Sequence, residues 1–331
     1  CMNIHKRFSA AGHAVEEEPA PPPPPPVEYM ELPDGDGPPQ EEMELILRVA
    51  GDMAVSDLHL FTGHKVVVRQ HGKLLEQPTG VFSSAKVERL VRALLTPAQA
   101  EMFEQRGELD FACTIANGWR FRANVYRHQR GVSAMFRPIP ARPPLLAQLG
   151  LPASLGMLAG LRNGLVLFTG PSGCGKSSSM AALVHAINST RADNIVTMED
   201  PIEFLHEPIM ASIIQRQVGA HTQGFASALH GALREDPDVI VVGELRDLET
   251  IQLALTAAET GHLVLATLHT NNAARSINRI IAAYPQNQQE QVRAMLADGL
   301  RAVLSQRLLP TQDQPGRVVA LSERILRITA P

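Results

Sequence analysis

Apolar residues follow two different patterns along this chain. From Met43 to Phe136, helical and strand spacings are mixed. Helical spacing predicts short helices over Glu41–Val49 and Ser84–Leu95, the second with Val87, Leu90, Val91 and Leu94 on one face. Pro97 opens a third helix that ends before Gly107. Strands are predicted over Asp57–Leu60, Val66–Arg69, Asp110–Ile115, Trp119–Tyr126 and Val132–Phe136, with a turn at His71-Gly72-Lys73. In Trp119–Tyr126 the period of two puts Trp119, Phe121 and Val125 on one face and Arg120 and Arg122 on the other. Residues 41–137 thus read as a small α+β domain. The run Arg137-Pro138-Ile139-Pro140-Ala141-Arg142-Pro143-Pro144 can continue neither a helix nor a central strand, so 138–144 reads as a linker.

Beyond it, short apolar runs alternate with helical segments. Strands are predicted at Leu165–Phe168, Asn194–Met198, Val239–Val242 and Leu263–Thr267. The helices between and after them are Ser177–Ile187, Phe225–Arg234, Leu248–Glu259 and Ala273–Ala283. Helix is expected again over Gln286–Leu309, and a last strand over Val318–Leu321. This alternation predicts an α/β domain over 145–331 with a mostly parallel sheet covered on both faces.

Composition changes the picture at the N-terminus. Hydrophobic residues make up 44% of 331 residues, enough for a sizeable core. The net charge of −4 hides a division: residues 1–44 hold ten acids and two bases, −8, which leaves +4 for the rest. Pro21–Pro26 is unbroken. Residues 1–40 are therefore expected to be a disordered, acidic, proline-rich arm, either a solubilising tail or a ligand for a proline-binding partner. The balance gives no reason to expect nucleic acid. One Trp and three Tyr offer few stacking platforms to a single strand. The most apolar stretch, Leu145–Leu161, is interrupted by Gln148, Pro152 and Ser154, so no direct membrane insertion and no secretory leader are expected. Three cysteines, Cys1, Cys113 and Cys174, cannot build a four-cysteine zinc site and suit a reducing cytoplasm. Cys1 precedes Met2, so the natural start is not fixed by the sequence.

The candidate chemistry lies in the second pattern. Gly170-Pro171-Ser172-Gly173-Cys174-Gly175-Lys176-Ser177, followed by Ser178, fits G-x-x-x-x-G-K-[ST] between a predicted strand and a predicted helix. Glycines let backbone N–H groups curl around phosphates, and the helix N-terminus adds positive potential. Lys176 is expected on the β- and γ-phosphates of ATP and Ser177 on Mg2+. The chain uses 25 Arg and only five Lys, and after Lys86 its one lysine is Lys176. A slim ammonium suits this loop better than a broad guanidinium. Cys174, near a helix N-terminus, is expected to be reactive and protected from alkylation by Mg-ATP.

Three further strands end in polar residues: Glu199-Asp200-Pro201-Ile202-Glu203, Gly243-Glu244 and His269-Thr270. In open α/β sheets ligands sit beyond the carboxyl ends of the strands, so these tips gather at the phosphate loop. Glu244 is the expected base, directly after Val239–Val242. Glu199 and Glu203 are expected to assist it or to hold Mg2+ through water. Asp200 is a metal candidate or a turn residue, and His269 is a reporter of the γ-phosphate or a structural histidine.

These stretches carry a family resemblance. Gly170–Ser177, Thr197–Phe204, Asp236–Asp247, Leu255–His262 and Ala266–Thr270 resemble the Walker A, Asp-box, Walker B and His-box regions of secretion ATPases, most closely the type IV pilus retraction ATPases. The resemblance spans about residues 43–331. It implies a PAS-like N-terminal domain and a RecA-like P-loop NTPase domain. It also implies a homohexamer with ATP between domains and subunits, and arginines of the N-terminal domain reaching the phosphates. Arg122 and Arg137 match the finger positions, with Arg130 a weaker match. The implied partners are an inner-membrane pilus platform protein and a paralogous retraction ATPase. The implied location is the cytoplasm, peripheral to the inner membrane, and the implied outcome is pilus retraction and twitching motility. The chain departs from the pattern in its arm and at Cys174, where serine is usual. His230 stands in place of arginine, and the resemblance implies a helical tail with an Ala-Ile-Arg-Asn-Leu-Ile-Arg motif after the last strand, which residues 1–331 do not include. The alternatives are a pilus-assembly or type II secretion ATPase, or a nucleotide-binding accessory subunit that modulates a partner motor.

Overall fold

The computed structural model describes residues 37–53, 55–70, 72–139, 142–310 and 317–325. The expected arm lies outside these except for its last residues. Pro39 and Gln40 already belong to α1 (Pro39–Asp52), where the fixed φ of proline suits the first helical turn. The chain continues through β1 (Asp57–Leu60), β2 (Val67–Gln70), β3 (Lys73–Glu76), α2 (Ser84–Arg92), α3 (Pro97–Arg106), β4 (Glu108–Thr114), β5 (Arg120–His128) and β6 (Gly131–Ile139). Thr96 and Gln99 close a reciprocal capping box on α3, and Gly107 ends it in the left-handed region. The strands form one antiparallel sheet in the order β3-β2-β1-β6-β5-β4.

The period of two decides what each face of this sheet does. Phe121, Ala123 and Val125 of β5 and Val132, Ala134 and Phe136 of β6 are buried against Met43, Ile46 and Leu47 of α1, Val87, Leu90 and Val91 of α2, and Phe103 of α3. The other face is polar. Asp57 is opposite Arg69, and Arg122 is opposite Arg137. The Leu58–Phe136 pair sets Asp57 beside Arg137. One row therefore crosses four strands as Arg69, Asp57, Arg137, Arg122.

The segment from Arg137 does continue a strand, contrary to expectation: β6 runs through Arg137 and Pro138 to Ile139. Pro138 pairs with Phe121 on one side. The pairing with β1 has ended by then, so the missing N–H interrupts no ladder there. β3, at the sheet edge, has no alternating apolar pattern that predicts it.

After two 3-10 turns, Leu146–Leu149 and Ala153–Gly160, the second half begins. Its elements are β7 (Gly164–Thr169), α4 (Lys176–Thr190), β8 (Asn194–Glu199), β9 (Ser212–Gln217), α5 (Phe225–Ala232), β10 (Val239–Val242), α6 (Leu248–Glu259), β11 (Leu263–Leu268), α7 (Ala273–Ala282), α8 (Gln289–Gly299), β12 (Leu300–Pro310) and β13 (Arg317–Ile325). The sheet order is β13-β12-β7-β11-β10-β8-β9. Every pairing is parallel except that of β12 with β13. Along β7, Leu165 and Leu167 enter one apolar core while Val166 and Phe168 enter another on the opposite face. This is the doubly covered α/β sheet that the alternation predicted.

One element differs in kind from its expectation. The helix expected over Gln286–Leu309 is a 3-10 turn and α8 only as far as Gly299. Leu300–Pro310 is a strand inserted between β7 and β13, with Ala302, Val303 and Leu304 buried. A long apolar run does not by itself distinguish a buried helix from a buried strand. Among the described residues, no helix is long and apolar enough to cross a membrane.

Candidate active site

The parallel sheet places its loops by topology. β7, β11, β10 and β8 are consecutive neighbours, so the loop after β7 and the tips of the other three share one edge. The loop Gly170–Gly175 leads into α4. Gly175 is the N-cap at φ +92, a left-handed conformation that a side chain would strain. Gly170 has a different constraint. A Cβ there would lie 2.4 Å from the Gln306 carbonyl oxygen and 2.6 Å from Cys174 Sγ.

Lys176 lies 7% exposed under this loop. Its Nζ donates to the carbonyls of Gly170 (2.8 Å) and Pro171 (3.0 Å) and lies 3.4 Å from His269 Nδ1. Burial lowers its pKa from the ordinary lysine value, against the opposing pull of Cys174, Glu244 and Glu203. His269 also approaches Ser172 Oγ at 3.4 Å, and its Nε2 is 3.3 Å from Glu244 Oε1. One imidazole thus bridges the loop lysine and the acid after β10. The second oxygen of Glu244 accepts from Arg246 Nε at 2.6 Å, and Arg246 Nη1 lies 3.8 Å from Asp200 Oδ2. Arg246 has no expected role in the sequence reading. Its opposite charge two residues after Glu244, just before the Asp247 cap of α6, is the signal that could have found it.

Glu199 is held differently. Its Oε1 accepts from Thr197 Oγ1 (2.7 Å) and Gln215 Nε2 (3.2 Å), and burial raises its pKa above the usual carboxylate value. The carboxylate is thereby tied to β9, which the sequence reading missed together with Gln215. Glu203 faces the first half: Arg122 Nη1 is 3.8 Å from its Oε1, and Arg120 Nη2 donates to the Ile202 carbonyl at 3.3 Å. Arg137, opposite Arg122 in the register, is tied within its own sheet instead. Its Nε and Nη2 donate to Asp57 Oδ1 at 2.9 and 2.7 Å. Arg130 lies in the β5–β6 turn, at the end of β5 away from Arg120 and Arg122. His230 is exposed on α5.

Cys174 requires a correction. It is 3% exposed, and its sulfur is packed beneath Gly170. The expected alkylation needs an accessible thiol, and the fold of the loop hides this one. Cys113 on β4 is still less reactive, since burial pushes its pKa up to about 12.

The edge fits a nucleoside triphosphate. A buried ammonium held by two loop carbonyls and the His269 ring can exchange them for phosphate oxygens, and Pro171–Gly173 are open to solvent above it. Among the described residues, no group of three or more His, Cys, Asp or Glu could hold a metal unaided.

Comparison with known proteins places these features in a family. The model of the family described as "Type II/IV secretion system protein" matches residues 152–328. A "Twitching motility protein" of Neisseria gonorrhoeae is 45% identical over 254 residues, 77% of this chain and 68% of that protein. A "Type IV pilus retractation ATPase PilT" of Pseudomonas aeruginosa is 42% identical over 264 residues, 80% of this chain and 77% of its own length. The solved structure of the pilus retraction motor PilT with bound ADP superposes with a TM-score of 0.81 at 41% identity, covering 86% of this chain and 83% of that one.

Proposed function

We propose a function on the premise that this chain belongs to the type II/IV secretion system protein family: it is an ATP-hydrolysing motor that powers type IV pilus retraction. It works as a homohexamer on an inner-membrane platform protein from the cytoplasmic side, with a paralogous retraction ATPase as a further partner. The observation that carries this reading is the Lys176–His269–Glu244 chain, which joins the phosphate loop to the acid after β10.

In this reading, the loop amides of Gly170–Ser177 and Lys176 bind the β- and γ-phosphates. Ser177, with Asp200 through water, would hold a Mg2+ ion, which would supply positive charge against the phosphates. Glu244 orients a water and takes its proton once the nucleotide draws Lys176 and His269 toward the phosphates. Glu199 and Glu203 hold the β8 tip and the loop after it. Arg122 and Arg137 meet phosphate from the first half, where such arginines contribute about 10³–10⁵ in rate in other NTPases.

Two measurements test it. Purified protein should release phosphate from ATP in the presence of Mg2+. The chain should also restore surface movement to a strain lacking its retraction motor. Hydrolysis without restored movement would leave the ATPase and remove retraction; neither result would remove both.

A further inference from the structure

Asp57 lies on β1 between two arginines contributed by neighbouring strands. Its side chain is 7% exposed. Oδ1 accepts both Arg137 Nε (2.9 Å) and Arg137 Nη2 (2.7 Å). Oδ2 accepts Ser56 Oγ at 3.0 Å and lies 3.8 Å from Arg69 Nε. Arg137 is held at one corner yet remains 53% exposed. A guanidinium has five N–H donors, and this pairing occupies two, leaving Nη1 and the remaining Nη2 proton directed away from the carboxylate.

The register adds a second argument. Arg122 is directly opposite Arg137 on β5, and like charges opposite one another repel. Without Asp57 the two guanidinium groups would splay apart, and Arg137 would sample many rotamers. A buried carboxylate paired to half-exposed arginines is a weak device for stability, since an apolar residue of similar size serves a fold at least as well. It is an effective device for holding one arginine in one orientation.

We propose that Asp57 is a positioning residue for ATP hydrolysis: it fixes Arg137 on the polar face so that the free guanidinium edge is presented to a nucleotide phosphate. The inference rests on the reading of Arg137 as a phosphate-facing arginine. Orientation set before the reaction lowers the barrier without adding a contact, so the effect belongs to turnover rather than to nucleotide affinity.

A double-mutant cycle on the full-length assembled protein tests it, using Asp57→Asn, Arg137→Ala and the combination. Ring formation is followed by size exclusion and folding by thermal unfolding. Asp57→Asn is expected to lower kcat about tenfold, with KM for ATP within about twofold, as for an interaction made in the transition state. In the Arg137→Ala background the same change is expected to cost nothing further. Asp57→Glu, which keeps the charge, should recover part of the loss. Wild-type turnover in Asp57→Asn overturns the inference, as does an equal loss in both backgrounds, which would make Asp57 merely structural. If neither Asp57 variant folds, the residue is structural and the inference falls. If Arg137→Ala turns over normally, the reading of Arg137 falls with it. If Arg137→Ala is impaired while Asp57→Asn is normal, the inference about Asp57 alone fails.

Discussion

The sheet of the first half is covered by helices on one face, and that of the second on both. From Arg120 to Tyr126 of β5 every other residue is polar, so charged groups can stand on the face itself: Arg120, Arg122 and, across the register, Arg137 and Asp57. In β7, β10 and β11 every residue is buried, and no position along these strands is free for chemistry. The polar groups of the second half gather where the strands end, at Lys176, Glu199, Glu244 and His269. Coverage of the sheet thus dictates whether a site forms on a face or at an edge.

The largest expected effect tests the edge. Glu244→Gln keeps a hydrogen-bonding group of the same size but cannot take a proton. Hydrolysis should fall by about 10²–10⁴ while ATP binding survives. Phosphate release measured alongside nucleotide binding checks both, and near-normal turnover would move the base elsewhere.

The next effect contrasts the two kinds of strand directly. Leu167→Ala in β7 should cost about 2–5 kcal/mol by denaturant unfolding, as large-to-small core changes do. Asn124→Ala on the polar face of β5 should stay within about 0.5 kcal/mol, although it removes the 3.1 Å bond to Asp110. Equal costs would mean that the polar face is covered as thoroughly as the inner one.

Lys176→Ala should weaken ATP binding by about 1.5–3 kcal/mol, the contribution of a charge-assisted bond to phosphate. Calorimetric titration measures it, and unchanged affinity would refute the assignment. The smallest effect concerns pH. Burial first, and the neighbouring His185 second, hold the His206 pKa down at about 4, below its ordinary 6.5. The unfolded chain therefore takes up a proton between these values that the folded chain refuses. Stability is complete above about pH 6.5 and declines as the pH falls toward 4, by about 1–2 kcal/mol at pH 5. His206→Gln should flatten this part of the profile in unfolding measurements at pH 7 and 5. A histidine on the half-covered sheet, His59, is also lowered mainly by burial, so both halves lose stability in the same direction.

Much of this was legible in the sequence. The phosphate loop has a spacing that backbone geometry requires, and β10 and α6 begin and end at the expected residues because turn and capping residues bound them. β12 was not legible because its apolar run suits either element. The edge strands β3 and β9 lack a repeating apolar signal, and with β9 went Gln215, the partner of Glu199. The contact between Asp57 and Arg137 joins residues 80 positions apart and depends on the order of strands in the sheet. No local pattern encodes it.

The side chains of Arg120 and Arg122 reach the second half through a carbonyl at 3.3 Å and a carboxylate at 3.8 Å, the latter between groups 40% and 33% exposed. Contacts of this kind contribute about 1 kcal/mol or less apiece. Fastenings so light let either arginine trade one oxygen partner for another at little expense.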